Sequence, residues 1–468
     1  MKTRTEHDLL GDREVCAEAY YGVQTLRAIE NFDICGVKLS AYPKYIKALA
    51  IVKLAAAKAN NDLGLLSDEI SNAIIAACEE LIDGKLVDQF PVDMIQGGAG
   101  TSTNMNANEV IANRALEIMG FEKGDYDHCH PNNHVNLSQS TNDAYPTGIK
   151  IGLMLMNEDL VANLKTLVAS FRAKGVEFSD VIKMGRTQLQ DAVPMTLGQE
   201  FEAWAENLSE EIERLNQNAK LFLEVNMGAT AIGTGINSEP EYSELCIKHL
   251  CDATGMPIVL AGNLIEATPD TGSYVMYSSA VKRLAIKLSK ICNDLRLLSS
   301  GPRCGFNEIN LPAMQPGSSI MPGKVNPVIP EVVNQVAYKV IGNDLTVTFA
   351  SEAGQLQLNV MEPVIVRSLF ESMEMLENAM STLRERCVDG ITANVDHCRE
   401  MVMNSIGIVT AVNPTLGYEA SSRIAQRALS ENRSVYDLIL EEGLLTKEKL
   451  DEILAPERMI KPQKFIKA

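Results

Sequence analysis

Apolar residues recur through the middle of the chain at helical spacing. From Val281 the positions Leu284, Leu288, Ile291, Leu295 and Leu298 step alternately by three and four. That is the a/d seam of a helix packed lengthwise against others. Phe201, Trp204, Leu208, Ile212, Leu215, Ala219 and Phe222 draw a second stripe, and Leu160, Leu164, Leu167, Val168 and Phe171 a third. Each stripe lies on a segment long enough for a helix of about 20 residues. Long helices with narrow seams bury them in a bundle, within one chain or between chains. The plainer alternative is a set of amphipathic helices in a compact domain. Alternating β-branched runs are hard to find, and aromatics are only 5% of the chain, so strands are not expected to dominate.

Polar segments dense in Gly, Ser, Thr and Asn separate the helical stretches and read as loops. They are Gln96–Asn108, His128–Thr147, Met184–Gly198, Asn226–Asn237 and Gly301–Pro330. The texture changes near Asn142, where the long-helix region begins, and near Asp396, where a shorter period runs to the terminal KPQKFIKA. These changes divide the chain into 1–141, 142–396 and 397–468. No low-complexity linker and no fixed repeat interrupts it.

Composition narrows the partners more than the chemistry. The 468 residues carry 42 Lys and Arg against 61 Asp and Glu, a net charge of −19. Such a balance repels nucleic acid and anionic membranes, yet a local basic pocket still suits a small anion. Hydrophobic residues at 46% and charged residues at 22% fit a globular protein with a large core. No apolar stretch reaches the roughly 18 residues a membrane span needs, and MKTRTEHDLLGDREV lacks the apolar centre of a signal peptide. The ten cysteines form no CxxC pair, as expected of reduced thiols in a cytoplasmic protein.

The segment richest in chemistry is Gln315–Pro330, QPGSSIMPGKVNPVIP. Gly317 and Gly323 permit close backbone approach, and the prolines restrict the loop. Successive N–H groups at Gly317, Ser318 and Ser319, following Pro316, suit an anion. Lys324 adds a point charge, Asn326 a donor for a carboxylate, and Ser318 and Ser319 hydroxyls. Taken bottom-up this is an anion-binding loop with a candidate hydroxyl base or nucleophile; a Pro/Gly surface connection is the alternative. Gly97–Thr101 and Gly228–Gly235 lack the GK[ST] ending of a phosphate loop. Thr101, Ser140, Thr141, Asn142 and Thr187 offer neutral hydroxyls and amides on three loops. Taken singly, each equally suits a helix cap or turn. His128, His130 and His134 raise a metal site, but no second ligand cluster accompanies them and polar turn residues intervene. HExxH and GxSxG are absent, and neither a metal nor a cofactor is expected.

GSSIMPGKVNP (Gly317–Pro327) closely resembles the signature of the aspartase/fumarase superfamily of lyases. GGAGTSTNMNANEV (Gly97–Val110), QSTNDAYPT (Gln139–Thr147), GRTQLQDAVPMTLGQEF (Gly185–Phe201) and GATAIGTG follow in the family's order. The resemblance runs from LLGDREVCAEAYYG to SIGIVTAVNPTLGY, essentially the whole chain. Within the superfamily the wording is nearest to the aspartases. Thr141 stands between Ser140 and Asn142 where fumarases typically read SSND. Gln188 follows Thr187 where class II fumarases carry His.

The resemblance implies an all-α protein of three domains with a central five-helix bundle. Four chains would form a homotetramer with a twenty-helix core, each active site drawing loops from three subunits. The implied reaction is reversible deamination of L-aspartate to fumarate and ammonia through an aci-carboxylate, with fumarate hydration as the alternative. Ser318 would be the base, its oxyanion stabilised by the Gly317 and Ser319 amides. Thr101, Ser140, Thr141 and Ser319 would bind the β-carboxylate, and Lys324 and Asn326 the α-carboxylate. Asn142 and Thr187 would orient the amine, with Gln188 assisting. The His128–His134 loop lies where relatives have a secondary anion site. A non-catalytic homologue would be expected to lack the serine loop, and a lyase for a larger substrate would not share this wording.

Overall fold

The computed structural model describes residues 2–462 and 464, so the end of the 397–468 segment, including most of KFIKA, lies outside the described residues. Helices dominate. The chain opens on the hairpin β1 (Thr3–Asp8) and β2 (Gly11–Cys16), then runs through α1 (Val23–Asn31), α2 (Pro43–Asp62), α3 (Asp68–Ile82) and α4 (Thr101–Ile118). The long α5 (Thr141–Glu177) leads to a second hairpin, β3 (Ile182–Thr187) and β4 (Gln190–Thr196), and to α6 (Leu197–Ala219). Next come β5 (Glu224–Val225), α7 (Tyr242–Thr254), β6 (Val259–Leu260), α8 (Leu264–Ala267) and α9 (Gly272–Leu298). After β7 (Ile309–Asn310) stand α10 (Val328–Glu352) and α11 (Glu362–Arg386). The chain closes with β8 (Thr392–Ala393), α12 (Val395–Asn404), α13 (Val409–Leu416), α14 (Tyr418–Glu431), α15 (Val435–Glu441), α16 (Lys447–Ile453) and α17 (Pro456–Met459). The strands form four two-stranded sheets: β1–β2, β3–β4 and β7–β8 antiparallel, β5–β6 parallel.

The three stripes fall on α9, α6 and α5, of 27, 23 and 37 residues. Their apolar positions are buried except for the half-buried Ile212, with Leu284, Leu288, Leu295, Phe201, Leu208, Leu160, Leu164 and Phe171 fully so. Each such side chain contributes about 1.5–3 kcal/mol by leaving water.

Two compact units make up the chain. One comprises 1–162, 213–285 and 338–377, the other 163–212, 286–337 and 378–468. In the first, α2 is buried on nearly every face, as its AIVKLAAAKAN run requires. The long helices are tied by Tyr277 donating to Asn157 (2.9 Å), by Ser278 and Lys282 donating to Asp344, and by Asn343 donating to Ser372. In the second, Ser381 donates to Asn163, Asn334 to Ser289, and Lys287 pairs with Glu211. A further core of this unit joins Ile182 and Met184 of β3 to Val402, Ile408, Val412, Ile424, Leu438, Ile439 and Leu450 of the C-terminal helices.

Two of the expected loops are mostly regular structure. Within Gln96–Asn108, α4 begins at Thr101, because Asn104, Asn106 and Asn108 point inward and find buried partners. Met184–Gly198 is largely the β3–β4 hairpin, whose apolar positions cover the C-terminal core. Its two-residue tip, Gln188 and Leu189, adopts φ of 54° and 61°. Glycine and asparagine favour that conformation, so the sequence carries no turn signal there.

Candidate active site

The site residues of the first unit stand at two helix N-termini held side by side. The α4 terminus follows Gly100, which has φ +87° and packs against Tyr145 so closely that a Cβ would lie 2.4 Å from the ring. Only glycine satisfies both conditions. Thr101 is exposed at the first helical position, its hydroxyl donating to the Gly98 carbonyl at 2.7 Å. The α5 terminus is capped by Asp143, whose Oδ1 accepts from Ser140 N while Oδ2 accepts from Gly228 N and Thr230 N. One buried carboxylate therefore binds the 226–237 loop to the start of α5. Burial raises Asp143 to about 6, opposed by the Thr230 and Ser140 N–H groups and by Lys53.

Asn142 is fixed from both sides. Its Nδ2 donates to the Ala231 carbonyl at 2.7 Å, leaving Oδ1 to accept from a ligand. Pro146 has no N–H to give the Asn142 carbonyl four residues back, and Asn226 Nδ2 donates there at 3.1 Å instead. Ser140 Oγ accepts from Asn142 N, and Thr141 Oγ1 accepts from Asn104 Nδ2 at 3.1 Å. The structure thus brings Thr101, Ser140, Thr141 and Asn142 together, with the partial positive charge of two helix ends beside them.

In the second unit Thr187 and Gln188 sit exposed at the β3–β4 tip. Behind them Glu308, fully buried, pairs with Lys183 at 2.9 Å and with Arg186, whose guanidinium lies 4.3 Å over the Phe306 ring. This cluster anchors the hairpin and so sets where the tip projects.

The 315–327 loop is closed at its base. Gly317 N donates to the Lys324 carbonyl at 2.7 Å, and Asn326 Nδ2 donates to the Gly317 carbonyl at 2.7 Å. A Cβ on Gly317 would lie 2.8 Å from Lys324 O, so the closure needs glycine. Ser318 Oγ accepts two peptide N–H groups, from Ile320 at 3.2 Å and Met321 at 3.0 Å. Of the expected amide donors, Gly317 N is spent on the base of the loop, and the two N–H groups on Ser318 Oγ come from Ile320 and Met321. Half of Asn326's amide is likewise used as a brace. Ser319 and Lys324 are exposed, and Lys324 makes no ion pair among the described residues. No hydrogen bond among the described residues links this loop to the hairpin tip.

The histidines are spent locally. His130 Nδ1 accepts from Asn132 and Asn133 N, His134 Nδ1 accepts from His130 N, and His128 stacks on Phe121 at 3.7 Å. Burial lowers both His130 and His134. Among the described residues no group of three His, Cys, Asp or Glu side chains could hold a metal, and no helix is long and apolar enough to cross a membrane.

Sequence reasoning missed Lys53, Asn104 and Asp143, which brace the candidate site residues Ser140 and Thr141. Lys53 carried a usable signal as a charge inside the apolar run of α2. Asn104 and Asp143 look like ordinary polar residues of a loop.

The family described as Lyase matches residues 11–342, and that described as Fumarase C C-terminus matches 408–461. An aspartate ammonia-lyase of Pseudomonas canavaninivorans is 62% identical over 461 residues, 98% of this chain and 97% of that protein. Among solved structures, a fumarate lyase:delta crystallin from Brucella melitensis bound to cobalt superposes with a TM-score of 0.96 at 56% identity. It covers 98% of this chain and 100% of the other. A class II fumarase from Schistosoma mansoni gives 0.92 at 34% identity, covering 99% and 100%.

Proposed function

The chain belongs to the aspartase/fumarase superfamily of lyases, and from that premise we propose that it reversibly deaminates L-aspartate to fumarate and ammonia. The likeness over nearly the full length to a relative named aspartate ammonia-lyase carries this reading. Removing a Cβ proton beside the β-carboxylate creates an aci-carboxylate dianion, which forms only where donors already face the developing charge. Thr101, Ser140, Thr141 and Ser319 take that carboxylate, with the α4 and α5 N-termini behind the first three. Lys324 and the free part of Asn326 take the α-carboxylate. Asn142 Oδ1 accepts from the substrate ammonium, with Thr187 and Gln188 at its side.

Ser318 is the base. A hydroxyl holds too little negative charge to act so unless its oxyanion is stabilised, and the Ile320 and Met321 amides supply that at the right atom. Closure of the loop carrying Ile320, Met321 and Val325, all exposed, excludes water from the intermediate.

The reading includes a homotetramer whose long helices form five-helix bundles joined in a twenty-helix core, with the three segments 1–141, 142–396 and 397–468 as domains in the cytoplasm. Tyr338, Ile341, Leu345 and Phe349 favour assembly, because they line one face of α10 and are left exposed. Following fumarate absorbance with aspartate and with malate tests the reaction. Aspartate is expected to give fumarate at a rate at least about a hundredfold above malate. Preference for malate would reassign the enzyme to fumarate hydration.

A further inference from the structure

Lys53 is completely buried, and its ammonium meets no carboxylate. Its three N–H groups are matched by three carbonyl oxygens: Asn104 Oδ1 at 2.7 Å, Gln139 Oε1 at 2.8 Å and Asn136 Oδ1 at 3.0 Å. Three acceptors and no donor fit an ammonium; a neutral amine would bring only two N–H groups and turn its own lone pair toward oxygen. Burying such a charge is costly, and packing α2 against α4 calls for no more than an apolar side chain. What distinguishes Lys53 is what lies one amide away. Asn104 receives the ammonium on its carbonyl oxygen and, through Nδ2, donates to Thr141 Oγ1 at 3.1 Å and to Asn136 Oδ1 at 3.1 Å. The Thr141 hydroxyl, accepting from Asn104, has its own hydrogen left to give. Successive bonds that each polarise the next strengthen the last donor.

We propose that Lys53 is a positioning residue for the substrate's β-carboxylate: through Asn104 it orients and polarises the Thr141 hydroxyl, so that binding a dicarboxylate is coupled to protonation of Lys53. This rests on the reading of Thr141 as a carboxylate ligand. The groups facing Lys53 are few. Asp143 of α5 opposes it with negative charge. Cys78 of α3 and Cys246 of α7 are thiols that burial pushes upward, so they are uncharged near neutrality. Asn104, Asn136 and Gln139 are neutral.

Burial brings Lys53 down to about 7, with Asp143 working in the other direction. The sign of the coupling follows. At about pH 6 Lys53 already carries its proton, so an incoming anion adds little there, and what uptake remains belongs to Asp143, itself at about 6. At about pH 8 the free protein has largely lost the Lys53 proton, and the added negative charge draws part of one from solvent. If the anion raises Lys53 by one unit, its contribution to dicarboxylate affinity falls about fivefold between pH 6 and pH 8.

Calorimetric titration of the full-length protein with succinate, in buffers of different ionisation enthalpy, reads the protons taken up. For that one-unit rise the wild type is expected to take up through Lys53 about 0.4 proton per site at about pH 8 and under about 0.1 at about pH 6, where further uptake belongs to Asp143. K53M should bind succinate with the uptake at about pH 8 gone. K53Q, which keeps two donors and never carries charge, should do the same and serves if K53M does not assemble. Succinate binding with unchanged uptake at about pH 8 in either variant, or no uptake by the wild type there, overturns the coupling alone. Failure of the wild type to bind succinate overturns the functional reading and this inference with it.

Discussion

Two peptide N–H groups on one serine oxygen are the smallest feature on which the proposed chemistry turns. At Ser318 they form an ordinary turn, and in the proposed mechanism the same two donors would cradle the oxyanion. Ser318→Ala is expected to lower turnover of aspartate by about 10²–10⁴-fold while succinate still binds and the circular dichroism is unchanged; fumarate absorbance measures the first, calorimetry the second. Substantial residual turnover would move the base elsewhere. The serine was legible in the sequence because its neighbours form a long motif. Its donors were not, since which amides reach Oγ depends on how Gly317 closes against Lys324.

At the scale of elements, the apolar period announced α5, α6 and α9, whereas the β3–β4 hairpin was hidden. Its tip has no glycine or asparagine, and its inward face reads as a mixed polar segment until the C-terminal core is set against it. What holds the hairpin is charge taken out of water: Lys183, 2% exposed, lies between Glu308 and Glu200. Glu308→Gln leaves Lys183 and Arg186 undercompensated and is expected to cost about 3–5 kcal/mol, read as a fall in the thermal midpoint together with a higher KM from displacement of Thr187. Adding Lys183→Met should recover part of the stability, because an apolar replacement of a buried pair is often neutral. A double variant no more stable than the single one would remove the ion pair from this account.

For the whole molecule, the proposed assembly rests on the α10 face. Leu345 at 56% and Phe349 at 65% exposure are a hydrophobic stripe that four copies would bury. L345K/F349K is expected to shift the mass from four chains to one or two by light scattering and to abolish activity while helicity persists. A variant that remains tetrameric would assign assembly to another face. The sequence alone determined the helical class, the long seams and the family, because these follow from local period and from motifs contiguous in the chain. Tertiary structure decided what stands behind the candidate site residues. Lys53, Asn104, Asp143 and Asn226 come from separate segments, and a buried hydrogen bond depends on which surfaces meet rather than on which residues are adjacent. The acidic balance of −19 gave no hint of Lys53, a buried lysine held by three neutral carbonyl oxygens, whose charge is felt because water is excluded around it.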